Sequence, residues 1–367
     1  MSALRDQRTI DRRLNEIRGL AAALPSPVRI MEVCGTHTMA LHRSGLKPRL
    51  EEAGLEMVSG PGCPVCITPD AIHEAAIQLV TGREGFILAT FGDMTRIPTR
   101  KGSLREAVPA PGSLVRIVYS PEDALDAARK APEKEVVFFG AGFETTIPGI
   151  AYTARRASKE RIRNYSVLTA LWLIPPAIRA ILRAGECAVT GFLYPGHVSA
   201  IIGEAPYAFV AEEFGVPGAI AGFEPLEILN GILSILDQAK RKSPGVANEY
   251  RRVVRPEGNP VALALMDATL EPKDAVWRGL GKILGSGLKL RPRYSDFDAE
   301  TKYGLDTCRA VREAPGCRCG EVLRGVIRPT DCRLFGKRCT PDSPLGPCMV
   351  STEGACLIAH KYARSGA

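Results

Sequence analysis

Three things are missing from this sequence of 367 residues, and each absence removes a class of protein. No apolar run approaches the roughly 20 residues that a helix needs to cross a bilayer. The opening stretch, MSALRDQRTIDRRLNEIRGLAAALPSP, has no long apolar core and mixes acids among its bases, which is not the pattern of a secretory signal. The basic clusters ARRASKERIR and AKRKS have no aromatic residues interleaved beside them. The formal net charge of +8 therefore reads as a solvated surface rather than a nucleic-acid footprint. A cytoplasmic protein with neither membrane nor nucleic-acid partners is expected.

Cysteine, by contrast, is plentiful, with 11 in the chain. A chain of this length can build its own core and does not need disulfides to replace one, so thiols in such number point to metal or redox chemistry. Seven of them, Cys308, Cys317, Cys319, Cys332, Cys339, Cys348 and Cys356, crowd the last sixty residues, and Cys34, Cys63 and Cys66 lie early. Cys187 stands apart and reads as a small buried residue entering a strand.

Short apolar runs (VRIMEV, EMVSG, GFILATF, LVRIVY, then EVVFFG, YSVLTALW, AVTGFLY, PGAIAGF) alternate with helical segments from residue 27 to about 228. That texture predicts parallel sheets covered on both faces. Echoes between MEVCGTHT and FGAGFETT, SGPGCPVC and LYPGHVS, and ATFGDMTRIP and AGFEPLEIL suggest a duplicated unit. The expected fold is α/β: two similar parallel-sheet, Rossmann-like domains over 27–130 and 131–228, then a third, loop-rich, cysteine-bearing domain over 229–367. Residues 1–26 form a helix packing on that last domain, with Leu14, Ile17, Leu20 and Ala21 on one face. Polar, glycine-rich loops at strand ends should share a cleft.

Three constellations could carry chemistry. In the tail the last six cysteines are separated by one, twelve, six, eight and seven residues. There is no Cys-x-x-Cys pair of the kind structural zinc sites use, and ligands from separate loops suit a cuboidal iron–sulfur cluster. Zinc or surplus buried thiols are the alternatives. Cys63 and Cys66 precede a helix that Thr68 and Pro69 should open, and a helix N-terminus favours thiolate chemistry. Redox is the better reading there, with metal binding second. Cys34 with His37 could hold an iron or act as a nucleophile, although a core cysteine beside an N-capping threonine is the plain alternative.

MEVCGTHT, GPGCPVC, FGAGFETT, GFLYPGHVSAIIG, AGFEPLEIL, WRGLG and CTPDSPLGPCMVSTEGAC together resemble the HypD family of [NiFe]-hydrogenase maturation proteins over essentially the whole chain. The resemblance implies two similar α/β domains, a third domain carrying a [4Fe–4S] cluster, and a scaffold on which an iron with two cyanides and one carbon monoxide, Fe(CN)2CO, is assembled. It implies work as a monomer in a hetero-complex with a HypC-like chaperone, and cyanide received from a HypE-like donor. By matching motif, Cys34 becomes the iron ligand, His37 a residue orienting ligands or moving protons, and Cys63 with Cys66 the redox-active pair. Glu144, Thr145, Thr146 and His197 would line the same cleft. The cluster ligands become Cys317, Cys332, Cys339 and Cys356, with Cys319 and Cys348 as substitutes. Where relatives are pictured with a polar Asn-His pair, this chain has Ala170 and Leu171. The role implied is an assembly scaffold with redox activity; the alternative is an iron–sulfur-dependent thiol–disulfide oxidoreductase acting on a partner protein.

Overall fold

A computed structural model of the chain describes residues 3–308 and 314–363. Among the described residues, eleven strands form two sheets: β1 Val28–Glu32, β2 Leu55–Ser59, β3 Phe86–Thr90, β4 Leu114–Ile117, β5 Glu135–Gly142, β6 Tyr165–Trp172, β7 Gly191–Pro195, β8 Gly218–Ala221, β9 Val246–Asn248, β10 Leu270–Trp277 and β11 Gly281–Leu290. The first sheet has the order β2-β1-β7-β8-β9 and is wholly parallel. The second has the order β10-β11-β6-β5-β3-β4, parallel from β6 to β4 and antiparallel at its β10–β11 edge. Every residue of β3, β6 and β7 is buried, as expected of strands covered on both faces.

The α/β class with two parallel-dominated sheets is therefore present, but the sheets are not successive halves of the chain. One takes residues from 28–59 and 191–248, and the other from 86–172 and 270–290. The boundaries drawn at 130 and 228 do not follow the sheets. Alternation of strand and helix reveals parallel pairing but not which strand lies beside which. The stretch expected to be loop-rich after 229 also contains the ten-residue helix Pro260–Thr269 and the long β10–β11 hairpin, which extends the second sheet.

The core follows from this interlacing. One apolar cluster covers the outer face of the first sheet, another the outer face of the second, and the largest lies between them. That central cluster joins Met31, Val58 and Tyr194 of the first sheet to Phe139, Leu168 and Trp172 of the second, and it includes Cys63, Cys66, Cys319 and Cys348. The segment leaving β2 for β3 has to pass through this region, which puts the dithiol inside the molecule.

The N-terminal helix Gln7–Ala21 is opened by Asp6, whose carboxylate accepts the Thr9 amide at 2.9 Å. Its buried stripe is Ile10, Leu14, Ile17 and Ala21, spaced for one helical face. That stripe shares a cluster with Ile228, Leu229, Ile232 and Ile235 of the helix Pro225–Arg241. The helix thus packs on the first sheet's outer layer, against a helix that covers β7 and β8 and whose residues 229–241 belong to the stretch expected to form the third domain. Ile17 is fully buried. Ile17→Ala should cost about 2–5 kcal/mol of stability, measured as a lowered urea midpoint by circular dichroism.

Candidate functional site

Both sheets turn their carboxyl ends toward one region, where open α/β sheets place their ligands. Cys34 follows β1 and takes the N-cap position of the helix Gly35–Arg43 without making a side-chain cap bond. Its backbone N–H donates to Glu32 Oε2 at 3.0 Å, and the other Glu32 oxygen accepts the Thr38 hydroxyl. Thr36 donates instead to Glu353 Oε1 at 3.0 Å. Neither threonine caps the helix: Glu32 and Glu353 take both hydroxyls.

The dithiol loop lies directly on this one. Gly35 N–H donates to the Gly62 carbonyl at 3.0 Å, and a Cβ on Gly62 would collide with the Cys34 backbone. Only glycine permits that approach. Cys63 and Cys66 are joined in a disulfide with a Cα–Cα separation of 5.3 Å. They occupy a separate one-turn helix, Pro64–Ile67, where Cys63 Sγ accepts the Cys66 amide at 3.2 Å. The longer helix starts only at Asp70. Thr68 does not open it; its hydroxyl donates back to the Pro64 carbonyl at 2.7 Å.

His37 is fully buried, with Nε2 2.9 Å from the Gly222 carbonyl and Nδ1 without a hydrogen-bond partner. Phe223, just beyond β8, lies between two imidazoles, with ring centroids 4.7 Å from His37 and 4.0 Å from His197. Glu144, beyond β5, accepts the Ile174 amide at 3.0 Å through Oε1, while Oε2 is unpaired and buried. Of its neighbours, Thr145 is exposed and Thr146 only half-buried. Tyr207 connects the two sides: burial, then the nearby Glu144 carboxylate, and more weakly the Cys34 thiol, raise its pKa. Its hydroxyl sits 3.2 Å from Ser199 Oγ.

Dryness governs the charge state here. Burial pushes the Cys34 thiol up to about 12, reinforced by Glu353. It raises Glu32 to about 7 and Glu144 to about 8, and lowers His37 to about 4. Each shift favours the neutral form, as desolvation requires.

The six tail cysteines, Cys317, Cys319, Cys332, Cys339, Cys348 and Cys356, line one cavity together with Leu334, Phe335 and Met349. Hydrogen bonds from Cys317 and Cys348 hold the Cys319 thiol well below its ordinary range, with some help from the Arg278 guanidinium. Cys348 is raised by its bonds to Cys319 and Cys356. Among the described residues no three His, Cys, Asp or Glu side chains converge as ligands of a single ion. The cavity brings the four expected ligands and their two substitutes together without choosing among them.

The tail also closes the cleft. Thr352 donates to Asp93 through its amide at 2.9 Å and its hydroxyl at 3.0 Å, and Arg96 donates to the Val350 carbonyl at 3.1 Å. Asp93 and Arg96 follow β3 of the second sheet, while Glu353 grips Thr36 beyond β1 of the first. The Cys66 sulfur is 4.0 Å from the Pro347 carbonyl, next to Cys348. Glu32, Tyr207, Phe223, Arg278 and Glu353 had not been singled out. Glu32, Phe223, Arg278 and Glu353 stand inside the quoted motifs, although Arg278 and Glu353 act through contacts distant in sequence; Tyr207 lies outside every quoted motif.

Fold and site together define a two-sheet α/β protein with a thiol-lined cleft and a separate cysteine-lined cavity. A family model described as "HypD: Hydrogenase formation hypA family" matches residues 8–363. The chain is 44% identical over 369 residues to the hydrogenase maturation factor HypD of Rhodobacter capsulatus, covering 98% of this chain and 97% of that protein. It is 43% identical over 337 residues to the hydrogenase maturation factor HypD of Escherichia coli K12, covering 92% and 89%. The corresponding figures for the Azotobacter vinelandii factor are 43% over 343 residues, 92% and 89%. The chain belongs to the HypD family.

Glu144 gives a test of the dry cleft. A carboxyl with a raised folded-state pKa binds more protons folded than unfolded, so its stabilising effect is complete below the unfolded value and lost as pH rises through about 8. Urea titrations should show wild type losing stability between pH 5 and pH 8 relative to Glu144→Gln. Parallel pH profiles would mean that the carboxyl is solvated.

Proposed function

We propose that this protein, whose family places it in hydrogenase maturation, is the scaffold on which an iron carrying two cyanides and one carbon monoxide is assembled. The observation that carries the reading is the meeting of the Cys34 loop with the dithiol loop at Gly62, in a cleft closed by Glu353. Cys34 would hold the iron as cargo. Low-spin iron with such ligands suits a soft thiolate donor, and a thiol kept neutral by burial gives up its proton when a cation takes its place. His37 is in reach of the same loop, with one ring nitrogen free to accept a proton. Glu144 and His197 lie on the cleft's other sides.

The cysteine-lined cavity fits a [4Fe–4S] cluster by donor chemistry. A mononuclear zinc site would gather its thiolates about 2.3 Å from one point, whereas a cluster takes each thiolate on a different iron. Cys317, Cys332, Cys339 and Cys356 would hold it, with Cys319 and Cys348 as substitutes. When bound, the cluster supplies single electrons. The Cys63–Cys66 turn, between cavity and cleft, is where this chain's own residues store an electron pair.

A HypC-like chaperone sharing the iron and a HypE-like cyanide donor complete the reading, with the protein a monomer in a cytoplasmic hetero-complex. A thiol–disulfide oxidoreductase acting on another protein needs a sulfur that the other protein can reach. Cys63 is 3% exposed and Cys66 fully buried, which favours the scaffold.

Infrared spectra of the complex purified anaerobically with a HypC-like partner should show cyanide and carbon monoxide bands, and Cys34→Ala should abolish them. Absence of both bands from a wild-type complex that matures hydrogenase would sink the scaffold reading. The isolated protein should contain iron and acid-labile sulfide in equal amounts, and Cys332→Ala should lose the brown chromophore. Bound zinc without iron would refute the cluster.

A further inference from the structure

Beyond a minor effect on the Cys319 thiol, the WRGLG motif takes no part in the chemistry above, yet it contains a buried cation bonded to the dithiol turn. Arg278 sits at the turn between β10 and β11, 7% exposed. Its backbone N–H donates to the Ile67 carbonyl at 2.8 Å. Its guanidinium donates twice to the Thr68 carbonyl, at 3.1 and 3.3 Å, and pairs with the Asp70 carboxylate. Trp172 adds a bond from Nε1 to Thr68 Oγ1 at 3.2 Å. Two carbonyls at the C-terminal end of the one-turn helix, those of Ile67 and Thr68, are thus taken by one residue of the hairpin. On its other side the tip is fixed to the cysteine region: Gly279 packs on Gly320, and its carbonyl accepts a bond from Arg324.

We propose that Arg278 is a positioning residue for the dithiol, clamping the Pro64–Ile67 turn in the geometry where the Cys63 and Cys66 sulfurs meet and so favouring the disulfide over the dithiol. This rests on the reading of Cys63 and Cys66 as a redox pair. Reduction breaks the S–S bond, takes up two electrons and two protons, and leaves two thiols free to separate. A turn held from outside loses less freedom when the bond reforms, which raises the effective concentration of one sulfur at the other. The opposing effect, a cation favouring thiolates, is small because Asp70 neutralises Arg278 at contact. The clamp therefore outweighs the charge.

The test equilibrates the full chain in dithiothreitol or glutathione redox buffers, traps the thiols, and reads the Cys63–Cys66 peptide by mass. Arg278→Gln and Arg278→Lys should both shift the equilibrium toward the dithiol by tenfold or more, about 30 mV for a two-electron couple. Lysine keeps the charge but lacks the planar fork. Because either change leaves Asp70 buried and badly paired, the double variant Asp70→Asn with Arg278→Gln is measured alongside and should shift the same way. Wild-type behaviour in Arg278→Lys with a shift in Arg278→Gln would assign the effect to charge and overturn the clamp. A reversible couple unchanged within twofold in all variants would overturn the inference alone. A wild-type disulfide that no buffer reduces in the folded protein would remove the redox reading and this inference with it.

Discussion

Everything in this molecule depends on the apolar interface between its two sheets. The chain crosses from one sheet to the other three times, after β2, β6 and β9, and the first crossing contains Cys63 and Cys66. A crossing segment between two apolar faces must satisfy its backbone without water. Here the Thr68 hydroxyl and the Arg278 amide and guanidinium do so, while the Trp172 indole N–H holds the Thr68 hydroxyl. The same burial that makes the turn costly to leave unpaired makes it precise.

Electrostatics follow from the same constraint. Cys34, Glu32, Glu144 and His37 are all displaced toward their neutral forms by burial, so the cleft stores little charge. A soft cation entering it would find a thiol and a proton acceptor with few competing charges. On the scaffold reading proposed above this would be a useful starting state, because the proton would leave Cys34 only when metal arrived to replace it. The tail adds a mechanical element: residues 350–353 join Asp93 and Arg96 of the second sheet to Thr36 of the first. The cysteine region thereby fixes the spacing of the cleft walls as well as lining its own cavity.

The parts legible in the sequence were those encoded locally. Continuous apolar runs identified every strand from β1 to β8, and the spacing of Ile17 and Ala21 announced a one-sided helix. The Gly-rich strand ends of the quoted motifs hold Cys34, Cys63, His37, Glu144 and His197. The β10–β11 hairpin escaped because its glycines and charges read as loop, and its burial is supplied by β6 beside it. The exact partner of the N-terminal helix, Pro225–Arg241, was not legible, because an amphipathic stripe announces that it will be buried without saying against what.

The amino-acid sequence by itself determined the α/β class, the thiol inventory and the motifs that place the chain in its family, since each is a property of neighbours along the chain. Only the tertiary structure decided how strands divide between the sheets. It also decided that Glu353 closes on Thr36 across 317 positions and that Arg278 holds Thr68 across 210. The physical reason is that these contacts are chosen by desolvation: a buried carboxylate or carbonyl must find a donor wherever packing brings one, and packing is not a local property.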